Sequence, residues 1–237
     1  MIKQKKWIVY LLCTMLAVAF TGCSSENNPN STPSSIDSSI VEEQSPEEPY
    51  HVDFRLTTGH HIAGIDFPAG TYNIRAIEWR GTVTSSNGAI NADMGTIDYN
   101  TDGRNTYTQE VDAVELPYGT RISLSGGVRL RLTCDDADPT PLESRNQEIT
   151  EQIALSAGTY IAGQDFPAGM YDFTSTYGVG NVESSNMHDG GISEVMGTTW
   201  RIAEGFDYCD QNCQNVELPE GTELRISGVE LLLIPSE

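Results

Sequence analysis

The chain has 237 residues with 34 acids against 13 Lys and Arg, a formal net charge of −21. A surface this negative excludes the cationic footprint that nucleic acid requires, and it excludes electrostatic docking on anionic lipid. It leaves solubility, repulsion from an anionic envelope, or attraction for cations and basic partners.

The chain opens MIKQKKWIVYLLCTMLAVAFTGCSS. Lys3, Lys5 and Lys6 form a positive region ahead of the apolar run Trp7 to Phe20. Fourteen residues fall short of the roughly 20 that span a bilayer, but they fit a secretory signal. Thr21 and Gly22 then lead into Cys23. These residues resemble the lipobox of bacterial lipoproteins, with Phe20 where Leu is usual. The resemblance implies a signal peptide over 1–22, acylation of Cys23 (palmitate among the chains), and attachment to the extracytoplasmic face of the cell membrane through lipid. With the three lysines removed, ten Arg remain against 34 acids, a charge of −24.

Residues 24–49, SSENNPNSTPSSIDSSIVEEQSPEEP, are nearly devoid of apolar side chains. Such a segment cannot bury enough surface to offset chain entropy, so 23–50 reads as a lipidated Cys and a disordered tether. Six acids and no base extend it by self-repulsion, to a limit of roughly 85–90 Å.

The rest is built from one theme stated twice. IAGIDFPAGTY at 62–72 returns as IAGQDFPAGMY at 161–171, and VELPYGT at 114–120 as VELPEGT at 216–222. The offset is 99 residues at first and 102 later, because the second copy has three extra residues between Asn186 and Met196. The expected units are 51–134 and 153–237, joined by a polar linker over 135–152. Alternation is clearest near the end of the first copy, where Ile122, Leu124, Val128, Leu130 and Leu132 point one way and Arg121, Ser123, Arg129 and Arg131 the other. Period two with turn residues every 8–12 positions predicts an all-β fold, two small sandwich or barrel-like units in tandem. The last strand, VELLLIP, is apolar on both faces, so Leu232 and Ile234 require a cover.

Asp66, Pro68 and Gly70, with Asp165, Pro167 and Gly169 in the second copy, have the chemistry of turns. Pro presets φ, Gly admits conformations other residues avoid, and Asp accepts from turn amides. The expectation is a hairpin turn used twice, with a paired ligand loop as the alternative. Both copies carry Gly-x-Asp-Phe-Pro-Ala-Gly-x-Tyr and so resemble an uncharacterised β-domain of secreted proteins and lipoproteins of Gram-positive bacteria. That resemblance implies a β-rich architecture and an exported location; it assigns no activity.

Candidate chemistry is sparse. Asp98, Asn100 and Asp102, followed by Gly103, have the spacing that opens a calcium loop, but position twelve is Gln109 and flanking helices are missing, so a hairpin is favoured over the metal. Cys209 and Cys213 admit a small disulfide across a turn; Cys134 is left over. His60 and His61 are adjacent, face opposite sides of a strand, and are Thr159 and Tyr160 in the second copy, so they make a poor metal pair. No Gly-x-Ser-x-Gly elbow, Walker loop or dinucleotide fingerprint occurs, and no cofactor is implied. A carbohydrate-active hydrolase would need two convergent carboxylates that the sequence does not single out. The expected function is therefore non-catalytic: a surface module for binding or adhesion to a cell-wall, glycan or protein partner, with Trp79 or Trp200 as exposed aromatics. The alternative is an accessory lipoprotein assembling with another exported protein.

Overall fold

A computed structural model describes residues 50–96, 107–145, 147–199 and 209–237. Cys23, the tether, the residues of the calcium-loop motif (Asp98, Asn100, Asp102) and Trp200 lie outside them.

The fold is all-β. The first half contributes β1 (Tyr50–Leu56), β2 (Gly59–Ile62), β3 (Gly70–Glu78), β4 (Arg80–Ser85), β5 (Asn91–Gly95), β6 (Glu110–Leu116), β7 (Arg121–Leu124) and β8 (Arg129–Ala137). The second contributes β9 (Ile153–Leu155), β10 (Gly158–Ile161), β11 (Gly169–Ser184), β12 (Ser193–Gly197), β13 (Asn212–Leu218), β14 (Glu223–Ile226) and β15 (Val229–Pro235). A four-stranded sheet has the order β1-β8-β3-β6, and the remaining eleven strands form one branched sheet. The arrangement is sandwich-like and not a closed barrel.

Both halves repeat the same registers. Ile74 faces Leu132 as Phe173 faces Leu233, and Val83 faces Leu124 as Val182 faces Ile226. β3 and β4 of the first half correspond to the single long strand β11, whose N-terminal part pairs with β13 and β15 and whose C-terminal part pairs with β12 and β14. Period-two alternation delivers the cores. Tyr72, Ile74, Ile122, Leu130 and Leu132 are buried in one apolar cluster; Tyr171, Phe173, Leu224, Leu231 and Leu233 are buried in another. The two clusters belong to one compact unit, Ser45–Glu237, because a bridge between β2 and β13 carries the large sheet from one half into the other.

The repeated motif is not a hairpin. In the first copy β2 pairs with β7, whereas β3 pairs with β6 and β8, so Asp-Phe-Pro-Ala-Gly takes the chain from one sheet to the other; in the second it leads from β10, paired with β14, to the part of β11 that pairs with β13 and β15. The Leu-Pro-x-Gly-Thr turn makes the return crossing from β6 to β7, and the two crossings are tied together. Ala63 N donates to Thr120 O at 3.0 Å and Gly119 N to Ala63 O at 2.9 Å; Ala162, Thr222 and Gly221 repeat both bonds at 2.9 Å. Asp66 Oδ2 accepts from Ile62 N and Asp165 Oδ2 from Ile161 N, both at 2.7 Å. The Tyr72 hydroxyl donates to Pro68 O and that of Tyr171 to Pro167 O, both at 2.6 Å. Each motif residue thus closes a corner that a sandwich must turn.

Two further expectations change. The stretch 135–152 is partly drawn into the fold: β8 runs on to a buried Ala137, and Ile149 packs against the second cluster. The disulfide between Cys209 and Cys213 is not formed; these and Cys134 are buried free thiols. Asp210 is held by backbone bonds to Val195 and Gly197 and Asn212 opens β13, so the intervening chain is paired with its neighbours and does not close the turn a bridge needs. Leu232 and Ile234 are half-buried on the outer face of β15, where the first half has the exposed Arg131 and the half-buried Thr133.

Candidate functional site

The halves meet along a seam built, apart from Gly59, from residues at which the two copies differ. Gly59 approaches Gln214 so closely that a Cβ would stand 2.1 Å from the Gln214 carbonyl oxygen; at φ +132° only Gly serves. Gln214 N donates to Thr58 O at 2.9 Å, and the Thr57 hydroxyl donates to Gln214 Oε1 at 2.9 Å. His60 is held at both ring nitrogens, Nδ1 by Ser123 Oγ at 2.8 Å and Nε2 by Gly191 O at 2.7 Å. Arg121 donates to Asp189 at 3.0 Å. Asp189 and Gly191 lie in the stretch that carries the three extra residues of the second copy, so the insertion is a joint.

Two carboxyls of the second half grip the β7–β8 turn of the first. Both oxygens of Glu194 accept from Gly126 N, at 3.1 and 3.3 Å. Burial, with the charge of Asp210 behind it, pushes the Glu194 carboxyl up to about 8. Burial likewise raises Asp210 to about 6, offset in part by the Thr58 hydroxyl, Arg129 and the Gly127 amide. Asp210 Oδ2 is buried without a hydrogen bond among the described residues. Burial pushes the Cys213 thiol well above its usual range, so it is no nucleophile. Burial also lowers His60 and His61, so both are neutral near pH 7.

A cavity of about 680 Å³ opens at one end of this seam. One wall is the consecutive run Val52 to Leu56 of β1; the other is Asp172, Gln214 and Asn215 of the second half. His61, Asp66 and Arg145 also line it. His61 Nε2 donates to Thr57 O at 2.9 Å. Arg145 donates from Nη2 to Asp66 Oδ2 at 2.5 Å and from Nη1 to Glu237 O at 2.8 Å, while its Nε is buried without a hydrogen bond among the described residues. The Arg145 side chain is 9% exposed and that of Asp66 13%, which makes this a largely desolvated ion pair. Asn215 is fixed by its own amide, which donates to Asp172 Oδ1 at 2.8 Å.

The candidates that the sequence singles out therefore divide. Asp66 reaches the cleft while still closing its corner; Asp165 closes a corner only. Pro68 lines the cleft beside it, whereas Gly70, Pro167 and Gly169 serve their crossings. Trp79 is half-buried and lines a smaller cavity of about 230 Å³ with Asp210 and Arg129. Arg145 and Glu194 are not marked by any sequence motif, and neither is the joint role of His60. The available signal was divergence between the copies: His60, Glu194, Asp210 and Gln214 stand opposite Thr159, Ala92, Thr108 and Asp112. Among the described residues no group of three or more His, Cys, Asp or Glu is arranged to hold a metal ion.

Comparison with known proteins finds no matching family model, no similar curated protein and no similar solved structure.

Proposed function

We propose that the protein is a lipid-anchored, extracytoplasmic binding module that takes its ligand in the cleft between β1 and the second half. The observation that carries this reading is the composition of that cleft: a buried, oriented Arg145–Asp66 pair and a fixed Asn215 beside the apolar side chains of Val52 and Phe54. A few fixed polar groups beside apolar ones are what small binding sites use, and 680 Å³ lies within their usual range of about 300–1,000 Å³. The site is non-catalytic in this reading: of the titratable groups that line it, His61 is committed to Thr57 O, and Asp66 and Arg145 to each other. The lipobox-like residues support the anchor, and the acidic tether supports display at a distance from the membrane.

Two experiments test it. Metabolic labelling with an alkynyl palmitate should mark the chain, and Cys23→Ala should abolish the label. A thermal-shift screen against peptides, cell-wall fragments, sugars and divalent cations should yield a stabilising ligand whose effect disappears in Arg145→Gln. Absence of any stabilising ligand would remove the binding reading.

A second reading, an accessory lipoprotein that docks on another exported protein, is favoured by the half-buried Leu232 and Ile234 on the outer face of β15. Leu232→Arg together with Ile234→Thr restores the first half's residue types there, and should abolish co-purification with such a partner while leaving the cleft ligand unaffected.

A further inference from the structure

The cleft wall formed by β1 is a strand edge. Among the described residues β1 pairs with β8 and with no second strand, and five of its residues in succession, Val52 to Leu56, border the cavity. Side chains of one strand face alternately up and down, so a consecutive lining run means that the backbone itself borders the space. The direction of its hydrogen-bonding groups follows from the neighbouring ladders. Ala76 N donates to Gln109 O at 2.8 Å, so Ala76 is bonded on the β6 side of β3. Alternation then turns Arg75 toward its β8 partner Arg131, and turns Arg131 away from its β1 partner Arg55. Arg55, and two residues earlier Asp53, therefore direct their main-chain N–H and C=O groups outward. Among the described residues no backbone hydrogen bond reaches them.

The other edges are protected. β9, β10, β5 and β12 have 3, 4, 5 and 5 residues, and β6 carries a bulge between Val111 and Val114. Short strands and bulges are the usual means of blunting an edge. β13 is met by β2. β1 runs seven residues with a regular register from Val52 onward.

We infer that the free edge of β1 receives an extended peptide carrying basic side chains, added as a further strand of the four-stranded sheet. This rests on the binding reading above and narrows it to a ligand class. Strand addition draws affinity from main-chain hydrogen bonds and specificity from alternate side chains. An added strand places one row of side chains beside Val52 and Phe54, and the other beside Asp53 and Arg55. Charge selects a basic peptide. With Asp53 paired to Arg131 and Asp66 to Arg145, the cleft keeps the carboxylates of Asp172 and Glu237 against Arg55, within a chain of net charge −21. Asp172, Gln214 and Asn215 wall the cavity across from β1, so this edge borders a cavity of about 680 Å³. The chain's own acidic tether has the wrong sign.

The test uses the full chain and a heptapeptide of alternating valine and lysine. Hydrogen exchange read residue by residue by NMR should show fast Asp53 and Arg55 amides in the free protein, with Phe54 and Leu56 protected. Saturating peptide should slow the two fast amides at least tenfold. A peptide with glutamate in place of lysine should not bind, nor should the lysine peptide with its interior amides N-methylated. Arg55→Pro, which removes an outward N–H at an edge, should fold and lose the peptide. Should that variant fail to fold, the exchange data on the unmutated chain still decide. Equal binding of the N-methylated peptide, or Asp53 and Arg55 amides that stay fast, would overturn the inference. So would protection of both amides in the free chain: dependent on concentration, it would mean a second copy on the edge; independent of it, the chain's own tether. If the screen instead yields a cleft-bound sugar while these peptides fail, the binding reading stands and the peptide does not.

Discussion

Trp79 and Gly178 occupy the same place in the two copies, and both are left-handed, at φ +56° and +80°. At Gly178 the long strand β11 passes through without interruption; at Trp79 it divides into β3 and β4. Glycine adopts this conformation freely, whereas for a bulky side chain it costs roughly 1–2 kcal/mol. At Gly178 a Cβ would stand 2.4 Å from the Gly228 carbonyl oxygen, so the second copy has no room for a side chain.

The usual ranking of substitutions should therefore invert at position 79. Trp79→Gly should be more stable than Trp79→Ala by about 1 kcal/mol, because both lose the indole and only Ala keeps the strain. Gly178→Ala should cost more than either difference, since it adds both strain and a backbone clash. Urea denaturation of the three variants checks this, and an Ala variant at 79 more stable than the Gly variant would contradict it.

Asp66 and Asp165 give a paired comparison within one molecule. Both accept a turn amide at 2.7 Å, but only Asp66 also binds Arg145. Asp165→Asn should cost about 1 kcal/mol, the net contribution of one ordinary hydrogen bond. Asp66→Asn leaves a buried guanidinium without its counter-ion and should cost about 3–5 kcal/mol. Equal losses at the two positions would mean that the ion pair contributes nothing.

How far the sequence led can be judged from these same residues. The alternation of Ile122 to Leu132 announced its burial pattern, and the repeated motif announced a repeated corner, because both are local patterns with a local physical cause. The direction of the corner is not the hairpin that its residues suggest: Pro and Gly fix the turn, while the strands it joins are decided by pairings tens of residues away. Arg145 was hidden for a related reason. It stands in a polar stretch without periodicity, and its burial comes from Asp66, 79 residues earlier, and from Glu237. His60 looks dispensable because the second copy lacks it, yet a joint between unequal halves is made by the residues they do not share.

The seam should set the pH dependence of stability. Glu194 and Asp210 are raised in the folded state, so each favours folding in its protonated form. Their contribution is complete below the ordinary carboxyl range and is lost as pH rises through about 6 for Asp210 and about 8 for Glu194. His60 and His61 are lowered, so their contribution is present above the ordinary imidazole value, about 6.5, and is lost as pH falls. Above about pH 6.5 the histidine contribution is complete, so Glu194 sets a decline that runs to about pH 8. Glu194→Gln should flatten the decline between about pH 4.5 and 8, and Asp210→Asn the part between about 4 and 6. Unfolding free energies at five or six pH values test this. An unchanged slope in Glu194→Gln would remove Glu194 from the account.

The three thiols offer a chemical check on the seam. Cys134, Cys209 and Cys213 are buried, and burial raises Cys134 and Cys213, so neither holds a reactive thiolate at pH 7. Native protein exposed to a thiol reagent should show little labelling over minutes, and unfolded protein should show full labelling of all three. A reductant should leave the melting temperature unchanged. A disulfide between Cys209 and Cys213 would instead appear as one labelled thiol in the unfolded chain and as a melting temperature lowered by reductant. In that case the chain from Asp210 into β13 would have to leave its bonds to Val195 and Gly197, and Asp210 and Gln214 would be carried away from the seam. Cysteine labelling therefore reports on the same stretch that places Gln214 against Gly59 and Asn215 in the cleft.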